Sequence, residues 1–236
     1  MKKLNKKQAK AIAKQELKLR NKLTLKQFKR VKRAFAKLKE KIDLETAILT
    51  ATAYNEFKTE LYVVFRTGIK ETVKETAEFL RTVRKVNKEL IPVVRNKSLE
   101  RLSEEITAKK VTNVTEVTKE KINKIITQGQ ATGKNVKAIA KEVQKSINGM
   151  SKHRAMMIAR TETAGTSSLT YHTGLVEAGF DKTWWHVGGG KQDRESHLAC
   201  DGETIKADEI FSCGLKFPHD PDADAGDIIN CHCELV

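Results

Sequence analysis

Cysteine and histidine residues near the carboxyl end of the chain have spacings that suit metal binding. His197-x-x-Cys200 and Cys231-x-Cys233 each offer two donor side chains. Residues three apart on a helical turn share a face, and so do residues two apart on a strand, so each pair can present both donors to one ion. Zn²⁺ prefers four sulfur and nitrogen donors in a tetrahedron. The spacing therefore favours a structural zinc bound by His197, Cys200, Cys231 and Cys233, with buried thiols that only fill space as the alternative.

Two other donors in this region are expected to stay outside the ligand set. His232 lies between two of the predicted ligands, and neighbours on an extended strand point to opposite sides, so His232 would only substitute for a ligand. Cys213 is interpreted as a spare thiol. All four cysteines fall in the last 37 positions of a chain made in the cytosol, which favours metal or free thiols over disulfides. A disulfide between these cysteines is the alternative if the protein later meets an oxidising medium.

Positive charge is concentrated in the first 150 residues. They hold 37 Lys and Arg against 16 Asp and Glu, a net charge of +21, whereas residues 151–236 hold 8 against 14, a net charge of −6. Such a basic segment favours non-specific phosphate contacts with double-stranded DNA, and a solvated lysine-rich helix face is the alternative. The residues predicted to contact DNA are Lys18, Lys22, Lys26, Lys29, Arg30, Lys32, Arg33 and Lys37.

Apolar residues in the first 150 positions recur at helical spacing. The first such seam consists of Phe28, Val31, Phe35, Leu38 and Ile42. The pattern predicts a helix that runs on to about Arg66 and an interruption at Gly68, followed by an element that ends at Pro92. A helix boundary is predicted between Gly149 and Ser151, with the serine as the next N-cap. Long apolar seams of this kind are compatible with an oligomer as well as with a single chain.

The chain changes character after residue 150. Aromatic and β-branched runs predict strands around Trp184, at Thr204-Ile205 and from Ile228 to Val236, and Gly188-Gly189-Gly190 predicts a loop. The predicted fold class is α+β, with long N-terminal helices in a bundle or hairpin followed by a small C-terminal α+β module with short strands. We expect a basic helical region at 1–128 and the C-terminal module at 129–236.

The sequence lacks the P-loop, G-x-S-x-G and H-E-x-x-H motifs and any segment typical of a membrane span. The glycine run before Lys191 lacks P-loop spacing, and no stretch of 18 apolar residues or apolar signal segment is found, so neither a membrane-spanning nor a secreted protein is expected. We therefore expect a protein that is not an enzyme. The alternative is a metal-dependent nuclease or toxin-like enzyme. Its acid, base and metal ligands would come from His186, His197, His219, His232, Asp193, Asp201 and Glu203.

Several separate motifs of the C-terminal part follow one another in a characteristic order. They are Ile158-Ala159-Arg160-Thr161-Glu162-Thr163, Trp184, Asp193-Arg194-Glu195-Ser196-His197, Asp201-Gly202, Phe211, Phe217-Pro218 and Asn230-Cys231-His232-Cys233. This order resembles the C-terminal domain of phage Mu F-like minor head proteins, also called head morphogenesis proteins, over roughly residues 130–236.

The resemblance implies a virion component that is made in the host cytoplasm and enters the phage head. Its implied partners are the portal protein, the capsid interior or scaffold, and packaged DNA, with no membrane during assembly. The implied function is a contribution to head assembly and to DNA packaging or delivery. A portal-binding adaptor without DNA affinity is a further alternative.

Overall fold

The computed structural model describes residues 4–187, 193–229 and 231–236 of the chain. The glycine loop predicted at 188–190 lies outside the described residues. Five long or medium helices make up most of the structure, which confirms the predicted fold class. They are α1 Lys6–Glu40, α2 Ala51–Thr82, α3 Ile91–Arg101, α4 Glu104–Ala131 and α5 Val136–Ala178, with a short 3-10 turn at Lys88–Leu90. Within the described ranges, no helix has the length and apolar character needed to cross a bilayer.

The first predicted helix is wrong in its length, because α1 and α2 are separated by a loop at 41–50. The Asp43 carboxylate accepts hydrogen bonds from the backbone amides of Glu45 and Thr46, which closes a turn. Ala47 has a φ of 58°, a left-handed conformation that no helix can contain. The Thr50 hydroxyl then accepts from the amide of Ala53 at 3.1 Å and caps α2.

Three predicted helix boundaries are also wrong. Helix α2 runs through Gly68 without a break. Pro92 lies in the first turn of α3, where proline is tolerated, and does not close an element. Helix α5 continues through Gly149 and Ser151. The Ser151 hydroxyl donates to the carbonyl of Asn148 at 2.8 Å, so the serine bonds within the helix and does not cap it.

The chain forms two compact units, each built from separate stretches of sequence. The first unit contains Met1–Thr24, Gly68–Leu102 and Arg160–Val236, and the second contains Leu25–Thr67 and Ser103–Ala159. Stretches of the two units alternate along the chain, so a single boundary at residue 128 does not separate one unit from the other. The division into 1–128 and 129–236 stays a prediction about sequence domains.

Each unit has its own apolar core. In the first unit, α2 and α5 approach closely at Gly174, where an added Cβ would lie 2.3 Å from Leu80 Cδ1. The core of this unit includes Leu80, Tyr171, Leu175, Trp184 and Phe217. The core of the second unit includes Val31, Phe35, Leu61, Val111 and Val143.

The C-terminal part of the first unit carries a small antiparallel sheet. The strands are β1 Asp181–Trp185, β2 Thr204–Lys206 and β3 Glu234–Leu235, in the order β2-β1-β3, and the short helices are α6 Glu195–Ala199 and α7 Ala225–Ile228. The strands near Trp184 and Thr204 are confirmed. The strand predicted from Ile228 to Val236 is wrong in its length, because α7 occupies the first of these positions and pairing begins only at Glu234.

Candidate metal centre

The structure brings His197, Cys231 and Cys233 together within the first unit. Their donor atoms all lie within 4.8 Å of one another. His197 Nδ1 is 3.5 Å from Cys231 Sγ and 3.7 Å from Cys233 Sγ. A tetrahedral zinc with Zn–S bonds of about 2.3 Å and Zn–N bonds of about 2.0–2.1 Å places nitrogen and sulfur ligands about 3.6 Å apart. The His197 nitrogen therefore already lies at the distance from both sulfurs that a zinc ion requires.

Different elements hold the two halves of this cluster. His197 lies on α6, and its ring meets the buried ring of Trp184 edge-on, with 5.2 Å between centroids. The tail that carries the cysteines is joined to β1 by reciprocal hydrogen bonds between Thr183 and Val236, at 2.8 and 2.9 Å. Strand pairing and packing against an aromatic ring thus position the donors.

The cluster is closed to solvent. His197, Cys231 and Cys233 are only 2%, 3% and 1% exposed. Catalytic zinc sites keep one position open for water or substrate, whereas structural sites enclose the ion. Burial therefore fits a structural ion better than a catalytic one, and the soft sulfur and nitrogen donors fit Zn²⁺ better than Mg²⁺ or Ca²⁺.

The two thiols of the tail shift each other's pKa in opposite directions. Hydrogen bonding from the Cys233 thiol is the main cause that holds the pKa of Cys231 far below its ordinary value, and His219 and His197 lower it further. The pKa of Cys233 is raised, because its proton is held by Cys231 and because it is buried. Since metals bind the thiolate, Cys231 is prepared for ligation.

Cys200, the fourth predicted ligand, is not part of this group. Its Sγ accepts a hydrogen bond from the amide of Cys213 at 3.2 Å and lies 3.3 Å from the hydroxyl of Ser212. Burial and the hydrogen bond with Cys200 raise the pKa of Cys213 to about 12. The structure thus places Cys200 beside Cys213, the residue interpreted as a spare thiol, and brings together three of the four predicted ligands.

His232 points away from the thiols, as the alternation of an extended segment predicts. Its Nε2 lies 3.3 Å from a guanidinium nitrogen of Arg160, and burial together with that cation lowers the pKa of His232. Two other contacts near the thiols have no signal in the sequence. Arg20 donates to the carbonyl of Cys233 at 3.1 Å and lies 3.4 Å from Nε2 of His219, a buried residue with a φ of 63°.

The residues predicted to bind DNA all lie on α1. They follow one another mainly at steps of three and four, which places them on one side of the helix. Lys18, Lys22, Lys26, Lys29, Lys32, Arg33 and Lys37 are exposed, and Arg30 is half-buried. Lys37 also forms an ion pair with Glu60 at 2.9 Å.

Comparison with known proteins confirms the resemblance of the C-terminal part. Residues 120–236 match the family model described as Phage Mu protein F like protein. The chain is 27% identical over 193 residues to the uncharacterized protein YqbB of Bacillus subtilis (strain 168). The match covers 78% of this chain and 62% of YqbB, so the chain spans less than two thirds of that relative. No solved structure matches the chain significantly. The part of the chain that resembles the phage Mu F-like family, residues 120–236, therefore contains the His197, Cys231 and Cys233 cluster.

Proposed function

We propose that the protein is a minor capsid protein of a tailed bacteriophage that acts in head morphogenesis. In this proposal it is a virion component, associates with the portal and packaged DNA inside the phage head, and assists head assembly and DNA packaging or delivery. The Mu F-like domain supports the head morphogenesis role. The acidic C-terminal part, with a net charge of −6 over residues 151–236, would contact the portal or the capsid interior.

The exposed basic side of α1 is the observation that carries the DNA contact. Seven of its eight predicted contact residues are exposed to solvent, on a helix of 35 residues. Lysine and arginine side chains in this arrangement neutralise phosphates and release counterions without reading bases. DNA binding would therefore be independent of sequence and would weaken steeply as salt increases.

A structural zinc is the proposed cofactor of the C-terminal domain. It would hold α6 against the tail of the chain through His197, Cys231 and Cys233. Because these side chains are buried, the site supports a structural role over a metal-dependent nuclease. The zinc would stabilise the surface that the domain presents to other head proteins.

Binding of duplex DNA across a salt series tests the proposal. We would compare the unmodified protein with a variant in which Lys22, Lys29 and Arg33 of α1 are replaced by alanine. The matched control replaces three exposed lysines of α4, Lys109, Lys121 and Lys124, and changes the charge by the same amount. The slope of log K against log salt should fall by about 0.9 for each phosphate that is no longer neutralised, and only the α1 variant should show this decrease.

The alternatives predict different results. An equal decrease in both variants would assign binding to overall charge and not to α1. Absence of DNA binding at every ionic strength, with retained co-purification of the portal protein, would favour an adaptor without DNA affinity. Metal-dependent cleavage of DNA that disappears in a His197→Ala variant would favour the nuclease.

A further inference from the structure

Strand pairing brings a fourth donor to the edge of the metal cluster. Trp185 of β1 is paired with Glu234 of β3, so the next step of the antiparallel register places His186 opposite Cys233. Side chains alternate along a strand, which puts His186 on the same face as Trp184, the residue that packs against the cluster. The register thus directs the imidazole toward the thiols.

The distance between His186 and Cys233 is that of two ligands of one ion. His186 Nδ1 lies 3.5 Å from Cys233 Sγ, the same as the shorter of the two separations between His197 and the thiols. This value again matches the edge of about 3.6 Å expected between nitrogen and sulfur on tetrahedral zinc. His186 lies outside the group of three donors that are mutually within 4.8 Å, so its ring must move closer to the other donors when the ion binds.

The other ring nitrogen of His186 faces a carboxylate. Nε2 lies 3.4 Å from Asp193 Oδ2, and the Asp201 carboxylate accepts a hydrogen bond from the His186 amide at 2.8 Å. Metal-bound histidines commonly direct their second nitrogen to a carboxylate, which fixes the tautomer and strengthens the ligand. Asp193 would keep the proton on Nε2 and leave Nδ1 free for the metal.

Two other donors near the cluster, His219 and Cys200, are poorer candidates for the fourth ligand. Nε2 of His219 lies 3.4 Å from the Arg20 guanidinium, which can only donate, so Nδ1 of His219 must carry the proton. A ring nitrogen that carries a proton cannot bind an ion. Cys200 already accepts from the amide of Cys213.

We infer that His186 is the fourth zinc ligand, with His197, Cys231 and Cys233, and that Asp193 is the residue that positions it. This inference rests on the zinc site proposed above and adds a second nitrogen to its two sulfurs and one nitrogen, whereas the set predicted from the sequence, with Cys200, has three sulfurs and one nitrogen. In this inference neither His219 nor Cys200 is a ligand.

X-ray absorption of the zinc-loaded full chain counts the ligands directly. We expect two sulfur and two nitrogen neighbours. The zinc affinities of four variants, measured by competition with a chromophoric chelator, then identify the residue that supplies the second nitrogen. We expect His186→Ala to weaken binding more than the loss of about 10- to 100-fold that removal of an outer-shell partner causes, and Asp193→Asn to fall within that range. Cys200→Ser and His219→Gln should each retain more affinity than His186→Ala.

The visible spectrum of the cobalt-loaded protein provides an independent readout. Loss of His186 should alter the bands of tetrahedral Co²⁺, whereas the Asp193→Asn variant should retain their shape because its ligands are unchanged. If His186→Ala does not fold, the sulfur count of the unmodified protein and the zinc affinity of Asp193→Asn still test whether His186 is a ligand. Three sulfur neighbours, or a larger loss in His219→Gln than in His186→Ala, would overturn this inference alone. Failure of the unmodified protein to bind zinc would overturn the proposed zinc site as well.

Discussion

Arg20 and Glu234 form an ion pair that joins helix α1 to the C-terminal strand. Their side chains are 6% and 0% exposed, and Arg20 also donates to the carbonyl of Cys233 at 3.1 Å. Glu16, one turn earlier on α1, is buried as well. It accepts from the hydroxyl of Ser167 at 3.0 Å, and burial raises its pKa. The start of α1 and the tail that carries the thiols are therefore parts of one packed structure.

Replacement of Arg20 by methionine should destabilise the first unit strongly. The variant would leave the Glu234 carboxylate buried without a counter-charge, and breaking such a pair costs about 3–5 kcal/mol. Unfolding in urea, followed by circular dichroism, measures the loss. The matched control is Lys37→Met, which breaks the exposed pair with Glu60 and should cost less than about 1 kcal/mol. Similar losses in the two variants would contradict the importance of the buried pair.

Acid should destabilise the protein partly through His172. Burial, aided by nearby Lys182, Arg101 and Lys216, lowers the pKa of this histidine from 6.5 to about 3. The unfolded chain therefore takes up a proton between these pH values that the folded chain does not, and stability falls as pH drops below 6.5.

A His172→Phe variant should lose part of this acid sensitivity. Phenylalanine keeps a ring against Phe217, which lies 4.6 Å away between centroids, but it cannot be protonated. Unfolding free energies at pH 7 and pH 4.5 provide the comparison. A His153→Gln control, which changes an exposed histidine, should behave like the unmodified protein. An unchanged pH dependence in His172→Phe would refute the assignment.

Two glycines of α5 should respond to alanine in opposite directions. At Gly174 the new Cβ would meet the buried Leu80 side chain at 2.3 Å, and overpacking of this kind costs about 1–3 kcal/mol. At Gly149 no atom of the described residues beyond its chain neighbours and the adjacent turns of helix backbone lies within 4 Å of the added Cβ, so alanine should stabilise the helix by about 0.5–1 kcal/mol. Thermal unfolding of both variants tests the close approach of α2 and α5, and stabilisation by Gly174→Ala would contradict it.

The helical content can be predicted from the spacing of apolar residues, but the helix ends cannot. Gly149 and Ser151 are local signals for a boundary, yet Ile147, Met150 and Ala155 continue one buried face through this point. Packing in the tertiary structure therefore outweighs the local signals. The break at 41–50 escapes prediction for the related reason that Ile42, at its start, is buried and continues the seam, although Leu44 and Ile48 are exposed.

Short spacings also explain which parts of the site can be predicted. Cys231 and Cys233 are two positions apart, and the strand-like alternation that separates them from His232 is a local property. The spacing favours Cys200 because it lies three positions from His197, but α6 ends at Ala199, and the partner of Cys200 is a loop amide 13 positions away. The contact of Arg20 with Cys233 joins positions 213 apart, which no local pattern contains.

The zinc content of the purified protein tests the central claim most directly. Elemental analysis would be carried out on the unmodified protein and on the Cys231→Ser and Cys213→Ser variants. The proposed site predicts one zinc per chain in the unmodified protein and in Cys213→Ser, and none in Cys231→Ser. Absence of zinc from the unmodified protein, or an equal content in Cys231→Ser, would contradict it.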